Sequence, residues 1–324
     1  MNKTQALQNM RDVMTIKRRS RKTVKVYLHW VGRYIDFLRN CDKSDSREAR
    51  IGRFLTMLAS REKVAASTQK QALCAVVFLY KNVLRVEVGD LSFLWSTRPK
   101  RLPEIFSRCE AWAVLDQLDG VGWLWGALMY GCGLRISEVY RLRVKDISID
   151  RRTVTVREGK GNKDRVLPLP EMIIQPLEKH LRRLRSVHER HAANRTPVSL
   201  PGAIDRKYPN APYEWGWFWF FPAKQPAIDK KWKGRLHHVH ETAVQKRIRR
   251  AINAAGVQRH ASCHTFRHSF ATHWLENAEG SHEIAIKRLQ ELLGHKDVRT
   301  TMVYLHLMTR PHDVASPLDT RKSA

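Results

Sequence analysis

Apolar positions repeat with a helical period over most of the first 85 residues. Weaker runs of this period cover about 4–16, 46–59 and 67–84, with polar joints between them. The clearest run begins after Thr23 and comprises Val24, Tyr27, Leu28, Val31, Tyr34, Ile35 and Leu38. Intervals of three and four residues place these side chains on one face of an α-helix. The pattern predicts a small all-helical domain over residues 1–90.

The period stops at 85–104, a stretch that contains Gly89, Pro99 and Pro103. Glycine and proline interrupt regular structure, and a stretch without period between two periodic regions is typical of a linker. We therefore expect a linker at 91–104 and a second, larger domain over 105–324.

The second domain contains both the helical and the alternating, strand-like pattern of apolar residues. Short helices are expected over 108–150, with a break at Gly131-Cys132-Gly133. Alternating positions at 153–157 and 165–169 flank the turn sequence EGKGNKD, which predicts a β-hairpin. Helical patterns follow at about 171–193, 240–255, 264–277, 282–293 and 299–307. The chain is therefore expected to be mainly α with a small β-sheet.

One stretch, 194–236, has no sustained period and is longer than the connections of compact domains. It contains six prolines and the tryptophans Trp215, Trp217, Trp219 and Trp232. Tryptophans in an arbitrary protein are usually core residues, but a long irregular stretch is usually functional or an insertion. Both interpretations stay open, with some rings packing the segment and others exposed.

The net charge of the chain indicates what kind of molecule it binds. Lys and Arg number 59 against 31 Asp and Glu, which gives a net charge of +28 on a chain that is 43% hydrophobic. A chain of this composition is expected to fold. Its excess positive charge favours a polyanion as binding partner, and nucleic acid is a better candidate than a membrane surface. The longest uncharged stretch, Gly120 to Leu134, is too short to span a bilayer. The N-terminus lacks the pattern of a signal peptide, so we expect a cytoplasmic protein without membrane contact.

Metal and nucleotide sites are not indicated. The five cysteines are scattered without a C-x-x-C pair, which argues against disulfides and structural zinc. The histidines at 237, 238 and 240, and those at 264, 268 and 273, have no carboxylate or thiolate at ligand spacing. Gly159-Lys160-Gly161 lacks the phosphate-loop pattern. We expect no metal and no cofactor.

The candidate chemistry lies mostly near the C-terminus. His264 and Arg267 are i, i+3 neighbours on a predicted helix, and this pairing suits a phosphodiester. Further candidates for the same site are Arg135, Lys160, His295 and Tyr304. Tyr304 is the candidate nucleophile, with nearby cations expected to favour its phenolate. Lys160 is the candidate acid for the leaving 5′-oxygen, and His264 the acid/base partner of the phenol.

Singly, each of these elements is more often structural than functional, but their order is specific. The segments GCGLR, EGKGNKDR, HTFRHSFATH, LLGHKD and YLH appear in the order found in tyrosine recombinases, the phage integrases. The chain resembles this family from about residue 4 to 308. The resemblance implies catalytic roles for Arg135, Lys160, His264, Arg267, His295 and Tyr304. It also implies strand exchange through a 3′-phosphotyrosine, without metal or cofactor.

The same resemblance implies an architecture. The N-terminal helices would form a SAM-like core-binding domain, the rest an α/β catalytic domain, and the two would clamp DNA from opposite sides. Synapsis would unite four protomers as a homotetramer.

The 194–240 stretch looks like the additional segment of integron integrases. In that subfamily the segment helps to recognise attC sites folded from one strand, where unpaired bases stack on side chains. The matching positions here are Trp217, His237 and His238. Stacking of a base on such a ring contributes about 1–3 kcal/mol. Lys246, Arg247 and Arg250 follow on a predicted helix and are expected to face phosphates.

Four alternatives remain. A Xer-like or prophage recombinase would lack the 194–240 segment, and a type IB topoisomerase would relax DNA without specific sites. A non-catalytic DNA-binding protein descended from a recombinase should have lost some of the six catalytic candidates.

Overall fold

The structure is a computed structural model that describes residues 2–42, 44–97, 103–157, 164–202, 204–227 and 234–305. The chain divides into two compact units, residues 1–101 and 102–324. The expected linker at 91–104 spans this division. In the described ranges, no helix is long and apolar enough to cross a membrane.

The first unit is helical. Its helices are α1 (Lys3–Ile16), α2 (Arg21–Leu38), α3 (Arg47–Ser60) and α4 (Ala66–Phe78), and α4 continues into a π-helical turn, Leu79–Leu84. The side chains of Asn2, Ser20 and Ser46 cap the first three helices by accepting a backbone hydrogen bond. Met10, Val31, Tyr34, Phe54 and Leu58 are fully buried between the helices. The helices predicted for this region are confirmed.

The second unit contains nine α-helices and three strands among its described residues. In chain order these are α5 (Arg108–Asp116), α6 (Gly120–Gly131), α7 (Ile136–Val139), β1 (Ile147–Ser148), β2 (Thr153–Val156), β3 (Arg165–Pro168), α8 (Glu171–Ala193), α9 (Ile204–Lys207), α10 (Glu241–Ala254), α11 (Cys263–Glu276), α12 (His282–Leu293) and α13 (Arg299–Met302). The mainly α class with a small sheet is confirmed.

The sheet is antiparallel in the order β1-β2-β3. Val154 pairs with Leu167 and Val156 with Arg165, which confirms the predicted hairpin. Strand β1 was not predicted, because two residues are too few to show an alternating pattern. The hairpin tip, 158–163, lies outside the described residues, and Lys160 with it.

Helices α6 and α11 form the centre of the main core. Leu128 of α6 and Phe266 of α11 are fully buried, and Phe266 packs edge-on against Phe106 at 5.1 Å between ring centroids. A separate apolar cluster joins the second half of α11 to α12 and includes Leu289, Leu293 and Tyr304. Tyr304 therefore belongs to the packing of this cluster.

The described residues of the irregular 194–236 stretch contribute to the core of the second unit. Phe218, Trp219, Phe220 and Phe221 are buried. The guanidinium of Arg143 lies 3.7 Å from the centroid of the Trp219 ring and donates to the Ser199 carbonyl at 2.9 Å. Trp219 is thus a core residue, Trp215 and Trp217 are half-buried, and Trp232 lies outside the described residues. The mixture of packed and partly exposed rings agrees with the sequence interpretation.

Candidate active site

Arg267 is the central cation of the site. It is 4% exposed and donates to the carbonyls of Gly133, at the end of the GCG turn, and of Leu293, at the end of α12. Its Nη2 also lies 3.2 Å from Nε2 of His295. One guanidinium therefore joins three of the sequence motifs, and burial lowers its pKa to about 9.

Glu138 is shared by three arginines. Its carboxylate accepts from Arg135 at 2.8 Å and takes a bidentate pair from Arg165 at 2.7 and 3.1 Å. Arg267 lies 3.8 Å away. Burial opposes ionisation of Glu138, but the hydrogen bonds and charges of Arg165 and the other arginines outweigh it and lower its pKa. A single carboxylate bound by three guanidiniums leaves this cluster positively charged, as an anion-binding site requires.

Two glycines give the backbone the shape that this cluster needs. Gly133 has φ +64°, and a Cβ there would lie 2.4 Å from Cδ1 of Phe270. Gly294 ends α12 with φ +61°, beside the Arg165 side chain. Left-handed backbone at these two points is accessible to glycine without strain. The turns direct the Gly133 carbonyl to Arg267 and let α12 end against Arg165.

His295 lies between Arg267 and the last helix. Its Nδ1 is 2.9 Å from Oγ1 of Thr301, a fully buried residue of α13. Since Arg267 can only donate to Nε2, the neutral ring carries its proton on Nδ1 and donates to Thr301. These two partners fix the orientation of the imidazole.

Tyr304 contacts His268. Its hydroxyl lies 2.8 Å from Nδ1 of His268, and its ring is stacked over that of His295 with centroids 6.4 Å apart. Tyr304 is 3% exposed. Burial raises its pKa, and the charges of Arg267 and Arg135 offset this only partly. The cations act in the expected direction, but the phenol stays protonated in the free protein.

His264, expected as the partner of the phenol, is exposed in the first turn of α11. Its ring centroid lies 6.5 Å from that of His268. The structure thus brings Arg135, Arg267, His295 and Tyr304 together, with His264 at the border. Lys160 lies outside the described residues.

Sequence reasoning missed Glu138, Arg165 and His268. All three stand in or beside the motifs GCGLR, EGKGNKDR and HTFRHSFATH. A carboxylate three residues after an arginine is a signal that could have found Glu138. The roles of Arg165 and His268 depend on contacts with Glu138 and Tyr304, which are distant in sequence.

The expected base-contacting side chains form part of an aromatic cluster. Trp219 stacks with His237 at 5.7 Å and meets His238 edge-on at 4.9 Å between centroids. His238 also packs on Tyr140 at 4.7 Å, and burial lowers its pKa to about 4. Nζ of Lys145 lies 2.9 Å from the ring centroid of Trp217. Trp217, His237 and His238 are each half-buried, so their rings are only partly accessible.

Lys246, Arg247 and Arg250 all line a groove of about 1640 Å³ between α8 and α10. The groove also contains Lys179, Arg182 and Arg183 from α8. Arg247 is ion-paired with Asp119 and donates to its carbonyl at 3.2 Å, so Asp119 as well as Glu241 opposes this basic stripe.

The described residues include no group of three or more His, Cys, Asp and Glu side chains that could hold a metal ion. The five cysteines are free thiols.

Comparisons with known proteins show the family to which the chain belongs. The phage integrase family matches residues 103–310, and the N-terminal SAM-like domain of phage integrases matches residues 6–90. An integrase/recombinase from Escherichia coli is 38% identical, with 98% of this chain and 94% of that protein aligned. The tyrosine recombinase XerC of Halalkalibacterium halodurans is 29% identical, over 78% of this chain and 75% of its own.

Solved structures show the same fold. A lambda integrase dimer bound to a COC′ core site has a TM-score of 0.61 at 14% identity, covering 93% of this chain and 94% of that one. The Tn1549 transposon integrase in complex with circular intermediate DNA has a TM-score of 0.61 at 16% identity, with 92% and 94% covered. The chain belongs to the phage integrase family, the tyrosine recombinases, and is a site-specific DNA recombinase that catalyses strand exchange.

Proposed function

We propose that this recombinase is an integron integrase, which inserts and excises gene cassettes by exchanging strands between attI and attC sites. The observation that supports the proposed strand exchange is the cluster in which Arg267 contacts Gly133, Leu293 and His295, beside Tyr304. The observation that supports the subfamily is the 194–240 segment, whose described residues pack into the catalytic unit and include the partly exposed rings of Trp217, His237 and His238.

Tyr304 attacks the scissile phosphate and forms the 3′-phosphotyrosine. Arg135 and Arg267 bind the non-bridging oxygens, where negative charge grows in the pentacoordinate transition state. Arg267 is already held by two carbonyls, so little reorganisation is needed when the phosphate arrives. His295 accepts from Arg267 at Nε2 and so holds that guanidinium in place, His264 assists at the border of the site, and Lys160 protonates the leaving 5′-oxygen.

Folded single-strand sites are recognised by rings that receive extrahelical bases. Trp217, His237 and His238 are the proposed contacts. Because His238 is wedged between Tyr140 and Trp219, it supports the pocket from within, whereas the half-buried Trp217 ring has Nζ of Lys145 over one face, 2.9 Å from its centroid. A base stacked near Lys145 has its phosphate close to a cation.

The groove between α8 and α10 binds the DNA backbone. Lys246 and Arg250 are exposed on α10, and Arg182 and Arg183 face them from α8. Arg247 has Asp119 as a partner and contributes less free charge. Such contacts position the duplex and set the salt dependence of binding without reading sequence. Four protomers assemble on two sites in the synaptic complex.

A Xer-like recombinase is the second candidate, because XerC is among the relatives. The two functions differ in substrate. A Xer-like enzyme acts on duplex sites alone, whereas an integron integrase also cleaves a hairpin folded from one strand.

The test is covalent trapping on a denaturing gel. Nicked suicide duplexes and folded single-strand hairpins are incubated with wild-type protein, Tyr304→Phe, Trp217→Ala and Trp215→Ala. We expect adducts on both substrates with wild type and none with Tyr304→Phe. Trp217→Ala should lose hairpin trapping more than duplex trapping, while Trp215→Ala, whose ring packs against His188 and Phe218, should affect the two equally.

Trapping of duplex alone by the wild type would support the Xer-like alternative. Equal loss on both substrates with Trp217→Ala would contradict the role of the segment in hairpin recognition.

A further inference from the structure

The nucleophile touches a histidine that the sequence motifs do not single out as catalytic. The imidazoles of His268 and His295 lie against Tyr304, with ring centroids 5.7 and 6.4 Å from that of the phenol, and His264 lies beyond His268. The structure places Nδ1 of His268 at hydrogen-bond distance from the phenol, 2.8 Å from Oη. His295 faces Tyr304 with its ring, and its two nitrogens contact Arg267 and Thr301.

We propose that His268 is the general base for Tyr304: it accepts the phenolic proton on Nδ1 during cleavage and returns it during rejoining. This inference rests on the proposed phosphotyrosine chemistry and deepens it. It assigns to His268 the role that sequence reasoning gave to His264, one helical turn earlier on α11.

The proton balance is complete with groups already named. In cleavage, the Tyr304 oxygen bonds to phosphorus, its proton moves to Nδ1 of His268, and the bond to the 5′-oxygen breaks. That oxygen leaves as a hydroxyl after taking a proton from Lys160. In rejoining, an incoming 5′-hydroxyl attacks phosphorus and gives its proton to Lys160. The departing Tyr304 oxygen then recovers its proton from His268.

The surroundings keep His268 in the form that can accept a proton. Burial is the largest cause that lowers its pKa, to about 4, and the neighbouring charges of His264 and Arg267 act in the same direction. Tyr304 faces it from the chain that follows α13, and its own pKa is raised. A phosphodiester bound beside Arg267 adds negative charge, which makes His268 more basic when the proton must move.

The same helix offers a matched control. His273, also on α11, makes an equivalent contact, with its Nδ1 2.8 Å from the hydroxyl of Tyr130. Burial lowers its pKa as well. His273 and His268 therefore share a helix, a type of partner and a distance, but only His268 has the nucleophile as that partner.

The experiment measures single-turnover cleavage of a suicide duplex from pH 6 to 9 in wild type, His268→Asn, His268→Ala and His273→Asn. Asparagine can accept the phenol's hydrogen bond near the position of Nδ1 but cannot take its proton. We expect His268→Asn to cleave about 100-fold more slowly at pH 7, within the range for general-base catalysis. Its rate should rise about tenfold per pH unit, because hydroxide must then remove the proton.

Wild type and His273→Asn should cleave at rates within about twofold of each other, with a shallow pH dependence. Added imidazole should restore part of the rate of His268→Ala. Two results would overturn the inference: rates for both His268 variants within about threefold of wild type, or slower rates with an unchanged pH profile and no rescue. If wild type traps no DNA, the proposed function fails first, and the base assignment fails with it.

Discussion

Replacing Glu138 with glutamine tests whether the arginine cluster depends on its single shared carboxylate. The Glu138 side chain is 8% exposed and that of Arg267 4%, so both charges are removed from water. Loss of one partner of a buried ion pair costs about 3–5 kcal/mol. Because glutamine keeps the shape and one oxygen, we expect about 3 kcal/mol, which lowers the melting temperature by about 6–12 °C in a domain of this size.

The dependence on pH gives the same test a second readout. The pKa of Glu138 is lower in the folded protein than its usual value of 4.5, since the arginines outweigh the effect of burial. A carboxyl group of this kind stabilises the fold above its unfolded pKa, and the stabilisation is lost as the pH falls through the folded pKa. The difference between wild type and Glu138→Gln should therefore be complete at pH 7 and shrink below about pH 4.5.

Urea unfolding of wild type, Glu138→Gln and Glu171→Gln from pH 7.5 to 3.5 measures both effects. Glu171 pairs with Arg152 at the surface, where both side chains are more than half exposed, so its substitution should change stability little. A Glu138→Gln variant within about 1 kcal/mol of wild type, or a difference that stays constant with pH, would refute the reasoning.

Four further substitutions, in two pairs, extend the tests to the backbone and to DNA binding. Gly133→Ala must displace Phe270 as well as adopt φ +64°, so it should destabilise the catalytic unit and abolish cleavage. Gly256→Ala, at φ +70° with nothing within 4 Å, should cost only about 1 kcal/mol and leave cleavage intact; equal effects in thermal melts would contradict the steric explanation. Lys246→Ala and Arg250→Ala should each reduce the slope of log K against log salt by about one, and unchanged slopes would exclude contacts between α10 and phosphate.

Much of the fold could be predicted because its helices carry strong periodic signals. The run from Val24 to Leu38 gives α2, and alternation around the EGKGNKD turn gives the β2–β3 hairpin. Strand β1 could not be predicted, since its two residues pair with β2 only in the folded chain. The 194–236 segment has no period because its core contacts involve single side chains, such as Trp219 against Arg143.

Residues of the candidate site could be predicted where they belong to a recognisable motif. Residues whose role depends on a contact with a part of the chain distant in sequence could not. Arg135, Arg267, His295 and Tyr304 come together as their ordered motifs indicate. The contact of His268 with Tyr304 joins residues 36 positions apart, and that of Arg165 with Glu138 joins residues 27 apart. Neither distance can be obtained from local sequence. The sequence also led us to expect that nearby cations favour the phenolate of Tyr304. Burial instead raises the pKa of Tyr304, because desolvation outweighs the effect of the two nearby arginines.

The central claim is that the Tyr304 oxygen becomes bonded to DNA. Its most direct test is mass spectrometry of the adduct trapped on a suicide substrate, after digestion with nuclease and trypsin. A nucleotide phosphate attached to the peptide that contains Tyr304 is the predicted result. Attachment to any other residue, or DNA cleavage without a covalent peptide, would contradict the claim.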